Sequence, residues 1–317
     1  MRSTSLKLVY ISFYAVVLSY IVMPSAHGTD KVAIIMPEVS AVYKVIFDEI
    51  HLGITENLNT DSVSFVIDKQ VEPSTINNWI NNVGINSIIA LGPTAYRSVG
   101  QIGIQLPVVV GAIMTANGHY QDTLKVALSP EPAEFFDQLT QLDDSIRRVA
   151  VVYNPARHRW LVDLAKEKAA IFGLHLSAFP ATNIKESVNI YDQLLEDKHP
   201  HSLAIWLLQD RSIVDSRVVL PFILERSWQR SIMVFSSSLG HVKKGVLFCM
   251  YPDNRAHGKQ LAQIINNFPK YMSSSHKTPL PTKNSLMAIN SRTAAHLGLK
   301  LKKSDYNKAD VVFPLTN

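Results

Sequence analysis

Short apolar runs alternate with amphipathic stretches along most of the chain. The runs are rich in Val, Ile and Leu and hold few polar residues, which is typical of strands covered on both faces. They lie at 32–36, 63–67, 87–91, 108–112, 149–153, 174–179, 203–208 and 232–235. Because longer stretches with helical periodicity separate them, the pattern predicts an α/β fold in which crossover helices join parallel strands.

The stretches between the runs predict the helices, and the breaks between them predict the domains. Predicted helices cover 42–57, 75–83, 94–100, 132–142, 160–172 and 184–195. The polar segment 142–148 divides the strands into two groups of four, so we expect the chain to enter a second domain there. A second break is expected at 240–245, and the segment 269–283, rich in Ser, Pro and Lys, is predicted to be a long loop.

The N-terminus has the order of a secretory signal peptide. Arg2 and Lys7 precede an uncharged apolar stretch at 8–23, and small residues Ala26 and Gly28 follow a proline. We expect cleavage after Gly28, so that residues 1–28 are a signal peptide and the mature chain begins at Thr29. The alternative is an uncleaved membrane anchor, for which the apolar stretch is short, since a span needs about 17–25 residues.

Charge and cysteine content exclude several classes of protein. Without residues 1–28 the chain has 29 Lys and Arg against 26 Asp and Glu, and the basic residues are scattered, so a nucleic-acid partner is not expected. The single cysteine, Cys249, excludes an internal disulfide and a cysteine-based metal cage. It lies in the apolar run 246–250, which favours a buried structural thiol.

The motifs of common enzyme classes are absent from the sequence. The first strand is not followed by a G-x-G-x-x-G turn, and the chain has no G-x-S-x-G elbow, no H-E-x-x-H and no P-loop. We therefore predict that the protein is not an enzyme and has no catalytic residues, no cofactor and no metal site.

An ordered set of short motifs carries a resemblance to a known family. The segments 90–95, 106–110 and 148–155, followed by 244–247, 286–290, 293–299 and 309–312, resemble the landmarks of the ABC transporter substrate-binding family related to the tryptophan/tyrosine-binding lipoprotein group. The resemblance implies a type I periplasmic-binding-protein fold, with two doubly wound parallel-sheet lobes that close on a ligand in the cleft between them. It divides the chain into an N-terminal lobe of 29–145 plus 246–270 and a C-terminal lobe of 146–245 plus 271–317.

The ligand site is expected where strands end. In open α/β sheets, ligands bind beyond the carboxyl ends of the strands, where helix N-termini present free N–H groups. The candidate residues are Pro37, Ser40, Tyr43, Gly92, Pro93, Thr94, Gly111, Tyr153, Asn154, Pro155, Arg157, Gln209, Asp210, Ser236, Ser237 and Tyr251.

Structural roles are the alternative for several of these candidates. The segment 92–94 is equally suited to a strand-to-helix turn, with a permissive Gly and a Pro that opens the helix. Residues 236–238 fit a polar loop, and Tyr43 fits the core as well as the cleft. In the segments 117–123 and 156–160 the chain departs from the family pattern, so specificity for an aromatic amino acid is not carried over.

Arg157 gives a prediction about ligand chemistry. It follows a Tyr-Asn-Pro turn at the start of a predicted helix, where backbone N–H groups already favour an anion and a guanidinium adds a bidentate contact. We therefore expect an anionic or amino-acid-like ligand that contacts Arg157. The alternative is that Arg157 is an exposed residue that caps its own lobe. The expected protein is a periplasmic solute-binding protein that serves a membrane permease and ATPase. The alternative is a membrane-tethered sensory or interaction protein with the same lobes.

Overall fold

The computed structural model describes residues 30–68, 70–114, 123–272 and 278–315, and the predicted signal peptide lies outside them. The strands are β1 Lys31–Pro37, β2 Asp61–Ile67, β3 Ser87–Leu91, β4 Val108–Ile113, β5 Leu124–Pro130, β6 Arg148–Tyr153, β7 His175–Pro180, β8 Leu203–Leu207, β9 Met233–Ser236, β10 Phe248–Pro252, β11 Leu280–Thr282, β12 Ser285–Asn290 and β13 Val311–Phe313. The helices are α1 Ala41–Thr55, α2 Pro73–Val83, α3 Gly92–Ile102, α4 Pro132–Leu142, α5 Pro155–Ile171, α6 Ile184–Leu195, α7 Val219–Arg230, α8 Leu239–Lys243, α9 Asn254–Asn266, α10 Phe268–Met272, α11 Ser291–His296 and α12 Lys303–Lys308.

These elements form two sheets, each covered by helices on both faces. The first has the order β11-β5-β4-β3-β1-β2 and is parallel in every pairing. The second has the order β13-β12-β10-β9-β8-β6-β7 and is parallel except between β10 and β12. Two apolar clusters flank each sheet, so each has its own core. We call the first sheet with its helices the first lobe and the other the second lobe. The predicted fold class is confirmed.

The sequence pattern overlooked β11, which lies in the segment 269–283 that was predicted to be a long loop, and it also overlooked β5. β5 carries Lys125 between apolar residues, and this polar position broke the run that would have predicted a strand. In the fold Lys125 is only 7% exposed, with its ammonium 5.6 Å from the centre of the Tyr96 ring. The cation-π contact lets a charged side chain lie within an otherwise apolar strand.

The first passage between the lobes lies earlier than the segment 142–148. β5 ends in the first sheet, but the next helix, α4, buries Phe135 and Phe136 in the core of the second lobe. The Phe135 ring lies 5.1 Å from that of Trp206. The chain therefore crosses at 130–132, and the expected N-terminal lobe of 29–145 is too long. The polar segment at 142–148 is only the turn between α4 and β6.

The other two passages also differ from the expected boundaries. β10 pairs with β9 in the second sheet, whereas α9 packs on the first lobe, so the crossing lies at 252–254 rather than at 240–245. The expected division placed all of 246–270 in the N-terminal lobe, but β10, within that range, belongs to the second lobe. β11 pairs with β5 in the first sheet, so the third crossing lies at 282–285 and the C-terminal lobe does not include 280–282. Apolar pattern does not reveal which sheet a strand joins.

Helix α9 packs on the first lobe through a very close contact with α1. A Cβ atom added to Gly258 would lie 2.0 Å from the carbonyl oxygen of Ile50, and one added to Gly53 would lie 2.0 Å from that of Arg255. Only glycine permits this approach, because any side chain would overlap the backbone of the facing helix. The pair of glycines thus sets the position of the helix that follows the second crossing.

We expect Gly258→Ala to lower the free energy of unfolding by about 1–3 kcal/mol, the usual cost of overpacking a close contact. Gly240→Ala is the matched control, because its added Cβ meets only the Ser238 hydroxyl, at 3.8 Å. That control should be neutral or slightly stabilising, since alanine favours a helix. Urea unfolding monitored by circular dichroism measures both variants. Equal stability of Gly258→Ala and the wild type would contradict the proposed contact.

Candidate ligand-binding site between the lobes

A narrow cavity lies where the carboxyl ends of strands from both sheets meet. Its volume is about 10 Å³, room for roughly one water molecule. The first lobe contributes Met114, Leu128 and Ser129, and the second lobe contributes His158, Leu161, Leu208, Gln209 and Ser237. A space lined from both lobes, at the carboxyl ends of the strands, is the arrangement that an open α/β sheet favours for a ligand.

The first lobe has a wider cavity of its own at the ends of β1 and β2. It measures about 550 Å³ and is lined by Pro37, Glu38, Val39, Ser40, Ile67, Asp68, Gln70 and Thr94. The fold thus brings together three of the predicted site residues, Pro37, Ser40 and Thr94. Glu38 and Asp68 make this wall acidic, which sequence analysis did not foresee.

The remaining candidates of the first lobe divide into exposed and buried positions. Tyr43 is 57% exposed in the first turn of α1, so it is not a core residue. Gly92 is buried with φ of 82°, as a tight strand-to-helix turn requires, and Pro93 after it is exposed. Gly111 faces helix α9. A Cβ on it would lie 2.4 Å from Leu261 of α9, so this glycine serves helix packing.

The turn after β6 places the predicted residues of the second lobe. Tyr153 is 6% exposed and belongs to the core, and Pro155 opens α5. The Asn154 side chain caps the helix, since its Oδ1 accepts from the N–H of Ala156 at 3.1 Å. Its Nδ2 lies 3.4 Å from the Ser212 hydroxyl. The Asn-Pro pair therefore acts first as a helix start that fixes the side chains following it.

Asp210 is a buried carboxylate at the centre of this region. Its side chain is inaccessible to solvent, and Oδ1 accepts from the N–H and the hydroxyl of Ser212 at 2.9 and 2.7 Å. Arg157 Nη1 lies 3.7 Å from Oδ1, and His158 Nδ1 lies 3.4 Å from Oδ2. Burial alone would raise the pKa of this carboxyl, but the contacts with His158 and Ser212 outweigh it and lower the pKa to about 2. Asp210 is therefore ionised at neutral pH.

His158 is a site residue that sequence analysis overlooked. It is 4% exposed, lines the cavity between the lobes and faces Asp210. Neither its Nδ1 nor Asp210 Oδ2 has a well-aligned hydrogen bond. Helical spacing is the signal that identifies it: His158 lies three and seven residues before Leu161 and Ala165, on the buried face of α5.

The last candidates lie at the ends of β8, β9 and β10. Gln209 and Ser237 line the cavity between the lobes, and the Ser237 hydroxyl accepts from the indole N–H of Trp206 at 3.0 Å. Ser236 is wholly buried, where its hydroxyl bonds the Leu207 carbonyl at 3.0 Å. Its polar contacts thus lie inside the second lobe. Tyr251 is partly buried beside the second crossing, and burial is the main factor that raises its pKa to about 12.

Comparison with known proteins assigns the family. Residues 134–312 match the family model described as ABC transporter substrate binding protein, which is more than half of the chain. The chain belongs to this family, and it is a solute-binding protein by class. No curated protein sequence matches the chain. Among the described residues, no helix is both long and apolar enough to cross a membrane.

Solved structures with low sequence identity share the fold. A ligand-free, open substrate-binding protein with adhesive properties from Clostridium difficile has a TM-score of 0.59 at 14% identity, over 89% of this chain and 99% of that one. An ABC domain in complex with L-Trp from Streptococcus pneumonia has 0.52 at 16%, over 90% and 99%. A conserved domain protein from Vibrio cholerae has 0.50 at 17%, with the same coverage. The type I periplasmic-binding-protein fold is thereby confirmed.

We expect Asp210→Asn to lower the free energy of unfolding at pH 7 by about 1–3 kcal/mol, because the buried site loses its charge-assisted contacts. The folded pKa of about 2 lies below the ordinary 3.8, so the carboxylate stabilises the fold above about pH 4 and this contribution is lost as pH falls towards 2. The wild type and the variant should therefore converge in acid. Urea titrations at several pH values measure this, with exposed Asp163→Asn as control. A constant difference across pH would be inconsistent with an ionised Asp210.

Proposed function

We propose that the protein is a periplasmic receptor of an ABC-type uptake system, which captures a small anionic or amino-acid-like ligand by closing its lobes. The observation that carries this proposal is that both lobes meet across a common space at the carboxyl ends of their strands. This space has room for about one water molecule, so the lobes must separate before a ligand can enter it. A ligand bound there contacts both lobes only when they are closed, so it stabilises the closed form. A membrane permease and its ATPase then recognise that form. No catalytic step is part of this function.

The charges around the cavities support this class of ligand. Arg157 is half exposed at the start of α5, and its 3.7 Å contact with Asp210 is an ion pair that is longer than a hydrogen bond. The exposed carboxylates of Glu38 and Asp68 lie on the wall of the first lobe. A ligand with an anionic group towards Arg157 and an ammonium group towards the acidic wall would match both surfaces. The L-Trp complex of a protein with the same fold is consistent with such a zwitterion.

Native mass spectrometry of protein purified without refolding tests the proposal directly. We expect a co-purified small molecule with an acidic group, released when the protein unfolds. A bound molecule that is neutral or only cationic would exclude the anionic class. The ligand so identified is then the probe for calorimetric titration of the variants.

We expect Arg157→Ala to weaken binding of that molecule by about 1.5–3 kcal/mol, the range for a hydrogen bond to a charged group, with little change in thermal stability. Arg159→Ala is the matched control. Arg159 is exposed on the same helix, and the ion pair with Asp210 is made by Arg157. It should bind as the wild type does. Equal dissociation constants for Arg157→Ala and the wild type would remove Arg157 from the site.

Export is the second part of the proposal. Edman sequencing of the exported protein should begin near Thr29, because the small residues Ala26 and Gly28 suit the signal peptidase. Recovery of the chain with residues 1–28 in the membrane fraction would favour the alternative, a membrane-tethered sensory or interaction protein. Neighbouring genes separate the two roles further: genes for a permease and an ATPase favour uptake, whereas a gene for a histidine kinase or a cyclase favours sensing.

A further inference from the structure

The end of β4 nearest the cavity between the lobes is irregular. Val110 pairs with Lys125 and Ile113 pairs with Ala127, so two residues of β4 face one residue of β5. This is a β-bulge, a feature that re-aims the residues after it. Within the bulge Ala112 has φ of 55°, a left-handed conformation that alanine rarely adopts. A second interaction must therefore hold this backbone in place.

That interaction comes from His257 in the first helical turn of α9. The N–H of Ala112 donates to Nε2 of the wholly buried His257 at 3.0 Å. The other ring nitrogen, Nδ1, lies 2.7 Å from the hydroxyl of Thr282, and that hydroxyl donates to the carbonyl of Ala127 at 2.8 Å. Each donor in this series has an acceptor only if the ring is neutral and carries its proton on Nδ1, so that Nε2 accepts from Ala112 and Nδ1–H donates to Thr282. Burial keeps it neutral by lowering its pKa to about 3.

The four residues of this chain of hydrogen bonds lie beside all three passages between the lobes. Ala127 is in β5, which leads to the first crossing at 130–132. His257 follows the second crossing at 252–254. Thr282 is where the third crossing begins, and Ala112 is two residues before Met114, which lines the cavity between the lobes. The imidazole and the Thr282 hydroxyl therefore connect the end of a cavity-forming strand to residues of the first lobe that stand next to each of the three crossings.

We infer that His257 is a positioning residue, which through Ala112 and Thr282 fixes the end of β4 against the three crossings and so sets the angle between the lobes. The imidazole itself contacts no ligand in this role. The inference concerns the hinge and stands independently of the anionic ligand proposed above. Gly111 is also next to the ring: a Cβ there would overlap Leu261 first and would lie 3.1 Å from His257 Nε2.

The experiment measures the distance between the lobes in the ligand-free protein by pulsed electron paramagnetic resonance. Spin labels are attached to cysteines introduced at two exposed positions, Asn81→Cys on α2 and Glu167→Cys on α5. The natural Cys249 is buried and burial raises the pKa of its thiol to about 12, so it does not compete for the label. The variants His257→Phe and Thr282→Val are made in this background. We expect both to give a shifted or broadened distance distribution.

Two further variants distinguish an effect on the distance between the lobes from a general loss of folding stability. Thr282→Ser keeps the hydroxyl and should restore the wild-type distribution. Ser187→Ala removes another buried hydroxyl, which bonds the Ile213 carbonyl at 2.8 Å within the second lobe, and should lower stability without changing the distribution. Thr282→Val is nearly isosteric, so it keeps the test valid if His257→Phe fails to fold.

Hydrogen exchange gives an independent measure at the strand itself. Loss of the bond to His257 should speed exchange of the Ala112 amide by about tenfold, the equivalent of one net hydrogen bond. Wild-type distance distributions in both folded Thr282→Val and folded His257→Phe would overturn the inference. So would a shift in Ser187→Ala equal to that in Thr282→Val, because it would show that any loss of stability opens the lobes.

Discussion

The close packing of α9 on α1 is the constraint on which the two-lobed arrangement depends. α9 follows directly after β10, yet the strand is hydrogen bonded in the second sheet and the helix is buried on the first. β10 cannot move to the first lobe, and α9 cannot move to the second, without losing the apolar contacts that bury it. The chain is therefore forced to cross between the sheets within three residues, and the contact at Gly53 and Gly258 fixes where α9 begins. The other two crossings lie beside this one because β5 and β11 are paired at the same edge of the first sheet.

The sequence predicted most of the elements because their signal is local. All eight apolar runs are strands, and α4 and α6 have the predicted bounds. β5 was overlooked because Lys125 interrupts its pattern, and the stabilising ring of Tyr96 is distant in sequence. The lobe boundaries failed for a related reason: whether α4 packs on one sheet or the other depends on partners such as Trp206, which no local pattern specifies.

The candidate site was predictable to the level of strand ends and no further. Parallel strands place their carboxyl ends together, and Pro37, Ser40 and Thr94 accordingly line one cavity. Which of the polar residues at these ends face a ligand space depends on hydrogen bonds within each lobe. Ser236 is bonded to the backbone of β8, and Gly111 is covered by α9. His158 lines the cavity between the lobes, which only its position on the buried face of a helix could indicate.

The buried charge of Asp210 determines the arrangement of the polar side chains at the strand ends of the second lobe. An ionised carboxylate removed from water needs partners, and Ser212, His158 and Arg157 supply them. Two hydrogen bonds hold Ser212 in place, and His158 and Arg157 lie within ion-pair distance of the carboxylate before any ligand arrives. Groups that are ordered before binding lower the entropy that binding must overcome. The acidic wall of the first lobe has no such constraint, because Glu38 and Asp68 are exposed. A ligand that binds the second lobe first and then contacts the first lobe would use both surfaces. Only its contacts with the first lobe, which form on closure, can shift the equilibrium towards the closed form. Under the proposed function, the second lobe thus supplies affinity, and the acidic wall of the first lobe supplies the difference between the open and closed forms.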